Sequence, residues 1–274
     1  MTKLLDPHGI QAQAGDMRHL SKTSIGNGDI CLRRMGYYMD PAIPKTTGAP
    51  RALGVAYHAG LEAFYGDQDD HNAVAFRSLT EQWATYPYLA DDMPLGTARV
   101  KLSEMLLAYQ ELGVWDRSQW EVEGSEVAFY APLTADWFTQ GYVDLVLRNR
   151  ITGRLVIVDH KTAAKKWKAG KGSARTDEQA PLYKWAWWTL TGERPDDFYY
   201  DVMTYDGQFE RRLIQVTDAQ IQAVLDRAIS YTAVLDAVPL DRLPTSGVGH
   251  FLCSEKWCDH WAICPAGAAA REVA

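Results

Sequence analysis

The chain has 274 residues, 47% of them hydrophobic, with 10 Trp and 14 Tyr, which is ample for a packed core and excludes a disordered chain. No run of about 18 uncharged apolar residues occurs, and Met1 to His8 lacks the apolar centre of a signal peptide, so a soluble, intracellular protein without membrane association is expected. A net charge of -7 argues mildly against a nucleic-acid partner.

In chain order, Leu20 to Ile25 predicts the start of a helix, with Ser21 or Thr23 as its cap, leading into Cys31-Leu32-Arg33-Arg34-Met35-Gly36-Tyr37-Tyr38. Pro41 to Pro50 reads as a loop. A helix is predicted from Arg51, with Leu53, Ala56, Tyr57, Gly60, Leu61 and Phe64 at core spacing and His58 and Glu62 one turn apart on its more polar side. Two further helices are expected at about His71 to Tyr86 and about Gly96 to Gly113, with the turn-rich Pro87 to Pro94 between them. From Trp120 the pattern turns to strands, Glu121 to Tyr130 and Trp137 to Leu145.

The run Leu155 to Val158 leads into Asp159-His160-Lys161, and Asp144 opens the apolar run Leu145 to Leu147, so two strands are expected to carry acids at their ends. Period-two alternation puts Asp159 and Lys161 on one face. A helix is expected from Gln179 to about Leu190, stopped by Thr191-Gly192, with Gln179 and Tyr183 projecting together. Phe198 to Thr204 and Gln208 to Val216 form a predicted hairpin about Asp206-Gly207, and a long amphipathic helix follows to about Leu235. Beyond Pro239 there is little periodicity.

Asp144 and Asp159 are hard oxygen ligands suited to Mg²⁺ or Mn²⁺, and Lys161 beside them can help an attacking water and offset developing charge. The following segment holds Lys165, Lys166, Lys168, Lys171 and Arg175, with Trp167 among them and no acid, so a polyanion has a local partner despite the net charge. Such a run is also compatible with a solvated loop. The four cysteines, Cys31 alone and Cys253, Cys258 and Cys264 as Cys-x4-Cys-x5-Cys, point in an intracellular chain to a metal site before disulfides. Spacing does not choose between zinc and an iron-sulfur cluster.

Gly141-x-x-Asp144, Asp159-x-Lys161 and Gln179-x-x-x-Tyr183, in that order, resemble the PD-(D/E)XK nuclease superfamily, and the Gln-x-x-x-Tyr element resembles its RecB-like branch. The resemblance implies an α/β fold: a restriction-endonuclease-like core with a mixed central sheet flanked by helices, an N-terminal helical part and a C-terminal cysteine-bearing segment. It is read as one domain over 1–274, with about 20–115 helical, about 120–235 the catalytic core and about 240–265 the cysteine segment. It implies metal ligation by His58, Asp144, Asp159 and the main-chain carbonyl of His160, with Lys161 serving the water. Gln179 and Tyr183 would position DNA or the lysine, and Glu126 would be a further acid near the metal.

AddB-like and CRISPR-associated members imply that Cys31, Cys253, Cys258 and Cys264 hold a [4Fe-4S] cluster. The first C-terminal gap is four residues where the family more often has two, which leaves zinc as the alternative. His260 is a conceivable substitute ligand. The activity implied is that of a Mg/Mn-dependent DNA exonuclease acting on single-stranded ends, in recombination, repair or phage DNA metabolism. Lys165, Lys166, Lys168, Lys171 and Arg175 would grip the strand and Trp167 would stack on a base. Alternatives are a non-catalytic DNA-binding recombination partner, or an endonuclease or RNase of the same fold.

Overall fold

The computed structural model describes residues 4–6, 18–66, 70–168, 178–246 and 251–273. In chain order its elements are β1 (Leu4–Leu5), β2 (Arg18–Ser21), α1 (Lys22–Ile30), α2 (Leu32–Met39), α3 (Ala49–Tyr65), α4 (His71–Thr85), α5 (Leu89–Asp92) and α6 (Leu95–Glu111). They continue with β3 (Trp120–Pro132), β4 (Trp137–Asn149), β5 (Leu155–Ala163), α7 (Gln179–Thr191), β6 (Asp197–Thr204), β7 (Phe209–Ile214), α8 (Asp218–Ala237), a 3-10 turn (Leu240–Arg242) and α9 (Pro265–Val273). Among the described residues no helix is long and apolar enough to cross a membrane.

Contacts divide the chain into two compact units. The first comprises Met1–Gly9, Thr47–Tyr130 and Gly141–Ile221. Its α3 starts two residues before the expected Arg51, because Gly48 caps it and Pro50, which needs no N–H partner in a first turn, is accommodated there. Its sheet has the order β1-β3-β4-β5-β6-β7. β4 and β5 run antiparallel with Leu145 opposite Val158, β5 and β6 parallel with Asp159 opposite Tyr200, and β6 and β7 antiparallel. Leu145, Leu147, Val156 and Val158 are fully buried in one core with Leu53, Tyr57, Leu79, Leu102 and Leu106 of α3, α4 and α6. This is a mixed sheet flanked by helices, as expected.

Asp144 and Asp159 lie inside strands of 13 and 9 residues, not at strand ends. The strand around Asp144 runs back through Gly141 to Trp137. A Cβ at Gly141 would stand 2.7 Å from the Phe129 ring and 3.3 Å from the Tyr183 hydroxyl, so the absent side chain makes room for α7 to approach the sheet.

The second unit comprises Ile10–Thr46, Ala131–Gln140 and Gln222–Ala274. Here β2 pairs in parallel with Trp137 to Gln140, the opening residues of β4. Ser21 caps α1 through a reciprocal box with Ser24: its hydroxyl accepts from Ser24 N at 3.1 Å, and Ser24 Oγ accepts from Ser21 N at 2.6 Å. Chain segments from both ends meet in this unit. Arg33 N donates to Pro244 O at 3.0 Å, Tyr231 donates to Asp29 at 2.6 Å, and the Ser246 hydroxyl donates to Ile30 O at 2.5 Å.

Candidate active site

Alternation along β5 sends Val156 and Val158 into the helical core and sets Asp159 and Lys161 on the opposite face, toward α7. Lys161 Nζ lies 2.5 Å from Asp159 Oδ2 and donates to Gln179 Oε1 at 3.1 Å, while Gln179 Nε2 donates to Asp159 Oδ1. Asp159 and Gln179 are 1% and 5% exposed and the Lys161 side chain 31%, so the ring is buried at the carboxylate and amide and open at the ammonium. Gln179 is the first residue of α7, and Tyr183 one turn on hydrogen-bonds its side chain. Tyr183 is itself buried edge-on to Phe129, at 5.3 Å between ring centroids. Burial, with Asp159 and Asp144 adding to it, pushes the Tyr183 hydroxyl well above its ordinary value, so it stays protonated.

Beside this ring the main-chain N–H of His160 donates to Asp144 Oδ2 at 2.7 Å. His58 on α3 places Nδ1 3.5 Å from both Asp144 Oδ2 and Glu126 Oε1. The described residues whose ligand atoms all gather within 4.8 Å of one another are His58, Glu126 and Asp144. Glu126 sits at φ 47°, among the described residues the one position other than glycine in the left-handed region, inside strand β3. That conformation costs energy and aims the carboxylate at His58.

Of the expected ligands, His58 and Asp144 come together with Glu126, the acid expected near the metal, while Asp159 alongside is paired with Lys161 and Gln179. The His160 ring packs in the aromatic layer, stacked on Tyr65 and edge-on to Tyr109 and to His58, and neither ring nitrogen has a hydrogen-bond partner. Burial, reinforced by the positive His58, Lys161 and Arg211, holds that ring far below its ordinary pKa and therefore neutral. Its backbone N–H reaches Asp144, and its ring backs His58.

The electrostatics fit a cation. Burial, and then Asp144 alongside, push Asp159 up to about 7 against the pull of Lys161 and His58. Burial raises Asp144 as well, opposed by His58. Burial pushes His58 down, but Asp144, Glu126 and Asp159 outweigh it and bring it up to about 9, so without metal a proton on His58 is the local counter-charge. Three crowded carboxylates and one imidazole are a donor set that a hard divalent ion satisfies.

A stability prediction follows from Asp159. A folded-state pKa of about 7, above the ordinary carboxylate value, means that metal-free protein loses stability as pH rises from about 4 through 7. Asp159→Asn should flatten that loss and melt at or above wild type at pH 8, as followed by circular dichroism; an unchanged pH slope would contradict the assignment.

Of the basic segment, Lys165, Lys166 and Lys168 are exposed, and Lys171 and Arg175 lie outside the described residues. Trp167 is half-buried. It packs edge-on to Tyr200 at 5.5 Å, and Arg212, 5.5 Å from its ring centre, donates to the carbonyls of Trp167 and Lys168 at 2.7 and 3.1 Å. In the second unit, Cys31, Cys253, Cys258 and Cys264 line a single cavity with Arg34, Tyr37 and Trp261. Cys31 caps α2. Burial raises its thiol, but hydrogen bonds from the Arg34 and Ser246 backbone and the Ser246 hydroxyl outweigh that and lower its pKa, the setting of a thiolate ligand. Burial and then the other three thiols push Cys253 up.

Among solved structures, a candidate exonuclease from Eubacterium rectale aligns at 15% identity over 92% of this chain and 91% of its own, with a TM-score of 0.55. At that identity the likeness is one of fold. A Vibrio cholerae protein aligns at 11% identity over 80% of this chain and 58% of its own, with a TM-score of 0.21, and carries no argument. No curated protein matches. The family model of the PD-(D/E)XK nuclease superfamily matches residues 20–265. With nearly its whole length covered, and with Asp144, Asp159 and Lys161 gathered on adjacent strands of a mixed sheet, the chain belongs to the PD-(D/E)XK nuclease superfamily, whose members use divalent metals.

Proposed function

We propose that the protein is a Mg²⁺- or Mn²⁺-dependent DNA exonuclease of the RecB-like branch that works from single-stranded ends, its units forming one nuclease domain in a recombination, repair or phage DNA pathway. The observation that carries this reading is the Asp159–Lys161–Gln179 ring set beside His58, Glu126 and Asp144. His58, Glu126 and Asp144 would hold the ion, with Asp159 and the His160 carbonyl completing the set.

A divalent ion bound there supplies polarisation of the phosphodiester and a lowered pKa for the attacking water. The protein does the rest. Lys161 brings a fixed ammonium to the charge that develops on the scissile phosphate. Asp159 and Gln179 hold that ammonium in place, and Tyr183 holds Gln179, so the Gln-x-x-x-Tyr pair positions the lysine. His58 would hold the ion as a neutral imidazole, its proton released to solvent. Lys165, Lys166 and Lys168 would attract the strand, with a salt dependence set by the number of phosphates met.

For the cysteines the reading is a [4Fe-4S] cluster. What supports it is that all four thiols line one cavity of the second unit and that hydrogen bonds lower the pKa of Cys31, as suits a thiolate ligand.

The test is a comparison of end-labelled linear and circular single-stranded DNA with Mn²⁺. The reading expects the linear strand to be degraded and the circle to survive. Cleavage of circles would make the enzyme an endonuclease.

A further inference from the structure

The site opens into a cleft of about 900 Å³ between α3 on one side and β4 and β5 on the other. Its floor is tight: a Cβ at Gly54 would stand 3.1 Å from the Thr162 hydroxyl, so α3 approaches β5 there as closely as a glycine permits. Two large apolar side chains remain exposed inside it, Val55 at 44% and Tyr142 at 56%. Each stands one step from a residue of the metal group. Val55 is one turn before His58 on α3, and Tyr142 is two residues before Asp144 on β4.

Charge is graded along the same helix. Arg51, exposed and cleft-lining, comes one turn beyond Val55, while Glu62 lies one turn to the other side of His58. A backbone phosphate is favoured at the Arg51 end and disfavoured at the Glu62 end. Seven residues separate Arg51 from His58, a rise of about 10 Å, which leaves room for one nucleoside between the reacting phosphate and the next.

Resting on the nuclease reading of this site, we infer that Tyr142, Val55 and Arg51 form a subsite for the nucleotide neighbouring the scissile bond. Tyr142 stacks on its unpaired base, Val55 covers the opposite side, and Arg51 takes its outer phosphate. Stacking on a side chain needs a base with a free face, which a single strand offers and a duplex withholds. A cleft of this size takes a nucleotide-scale ligand. The subsite therefore selects single-stranded DNA.

The experiment uses the full chain. Binding of a fluorescent single-stranded oligonucleotide is measured by anisotropy in EDTA, where nothing is turned over, for wild type, Tyr142→Ala, Tyr142→Phe and Arg51→Ala. A second oligonucleotide carries abasic positions at its end. Tyr142→Ala should weaken binding about tenfold and no longer distinguish the abasic strand, whereas Tyr142→Phe should behave as wild type. Arg51→Ala should weaken both strands and reduce the slope of log affinity on log salt by about 0.7.

Equal binding of both strands by wild type and Tyr142→Ala would overturn the subsite. Hydrolysis of bis(p-nitrophenyl) phosphate with Mn²⁺, a diester with no neighbouring nucleotide, separates the two levels. Its absence in wild type would overturn the nuclease reading itself, whereas turnover of this diester together with oligonucleotide binding that Tyr142→Ala leaves unchanged would overturn the subsite alone.

Discussion

Lys161→Ala is expected to lower Mn²⁺-dependent hydrolysis of single-stranded DNA by about 10²- to 10³-fold while the protein remains folded and still binds Mn²⁺. The ammonium is a third exposed and lies 2.5 Å from Asp159, so its loss removes a charge facing the cleft and not a piece of the core. Asp159, already pushed up to about 7, can take up a proton when its partner is gone, which limits the structural cost. Lys161→Arg should not restore the rate. A planar fork does not reproduce a compact ammonium seated between Asp159 and Gln179. Activity and Mn²⁺ binding, the latter by electron paramagnetic resonance, are the paired readouts. Wild-type turnover in Lys161→Ala would remove the lysine from the mechanism, and loss of Mn²⁺ binding would recast it as part of the metal site.

The second large effect concerns the thiols. Freshly purified protein is expected to be brown, with absorbance on the order of 400 nm as thiolate-ligated iron clusters show, and Cys258→Ser should bleach it. Because Cys31 comes from one end of the chain and Cys253, Cys258 and Cys264 from the other, losing the cluster removes a cross-link over a long loop. The melting temperature should fall by about 10 °C or more. Wild-type protein that is colourless and holds stoichiometric zinc would refute the iron-sulfur assignment. An unchanged melting temperature in Cys258→Ser would refute the cross-link.

The parts of the site legible in the sequence are those set by local periodicity. Asp159 and Lys161 share a face because strands alternate, Gln179 and Tyr183 meet because helices repeat near four residues, and Gly192 ends α7 in the left-handed conformation its type favours. What periodicity does not carry is pairing and backbone strain. The parallel register of β5 with β6 joins segments across the chain, and no local pattern encodes it. The left-handed Glu126 could be suspected only as an acid on the preceding strand, since nothing in Gly124-Ser125-Glu126 announces its φ. Trp167 stands among lysines in the sequence. Its partners Tyr200 and Arg212 come from β6 and β7, and only the folded sheet supplies them. The strand Arg18–Ser21 was hidden by the helix cap it ends on, and α9 by its shortness, nine residues rich in alanine directly after Cys264.

The most direct measurement is release of acid-soluble nucleotide from uniformly labelled single-stranded DNA, followed against Mn²⁺ concentration for wild type and Asp144→Asn. Release that rises with Mn²⁺ in the wild type, stops in EDTA and is absent in Asp144→Asn is the predicted result. Release that persists in EDTA, or that Asp144→Asn matches, would contradict a metal-dependent nuclease centred on His58, Glu126 and Asp144.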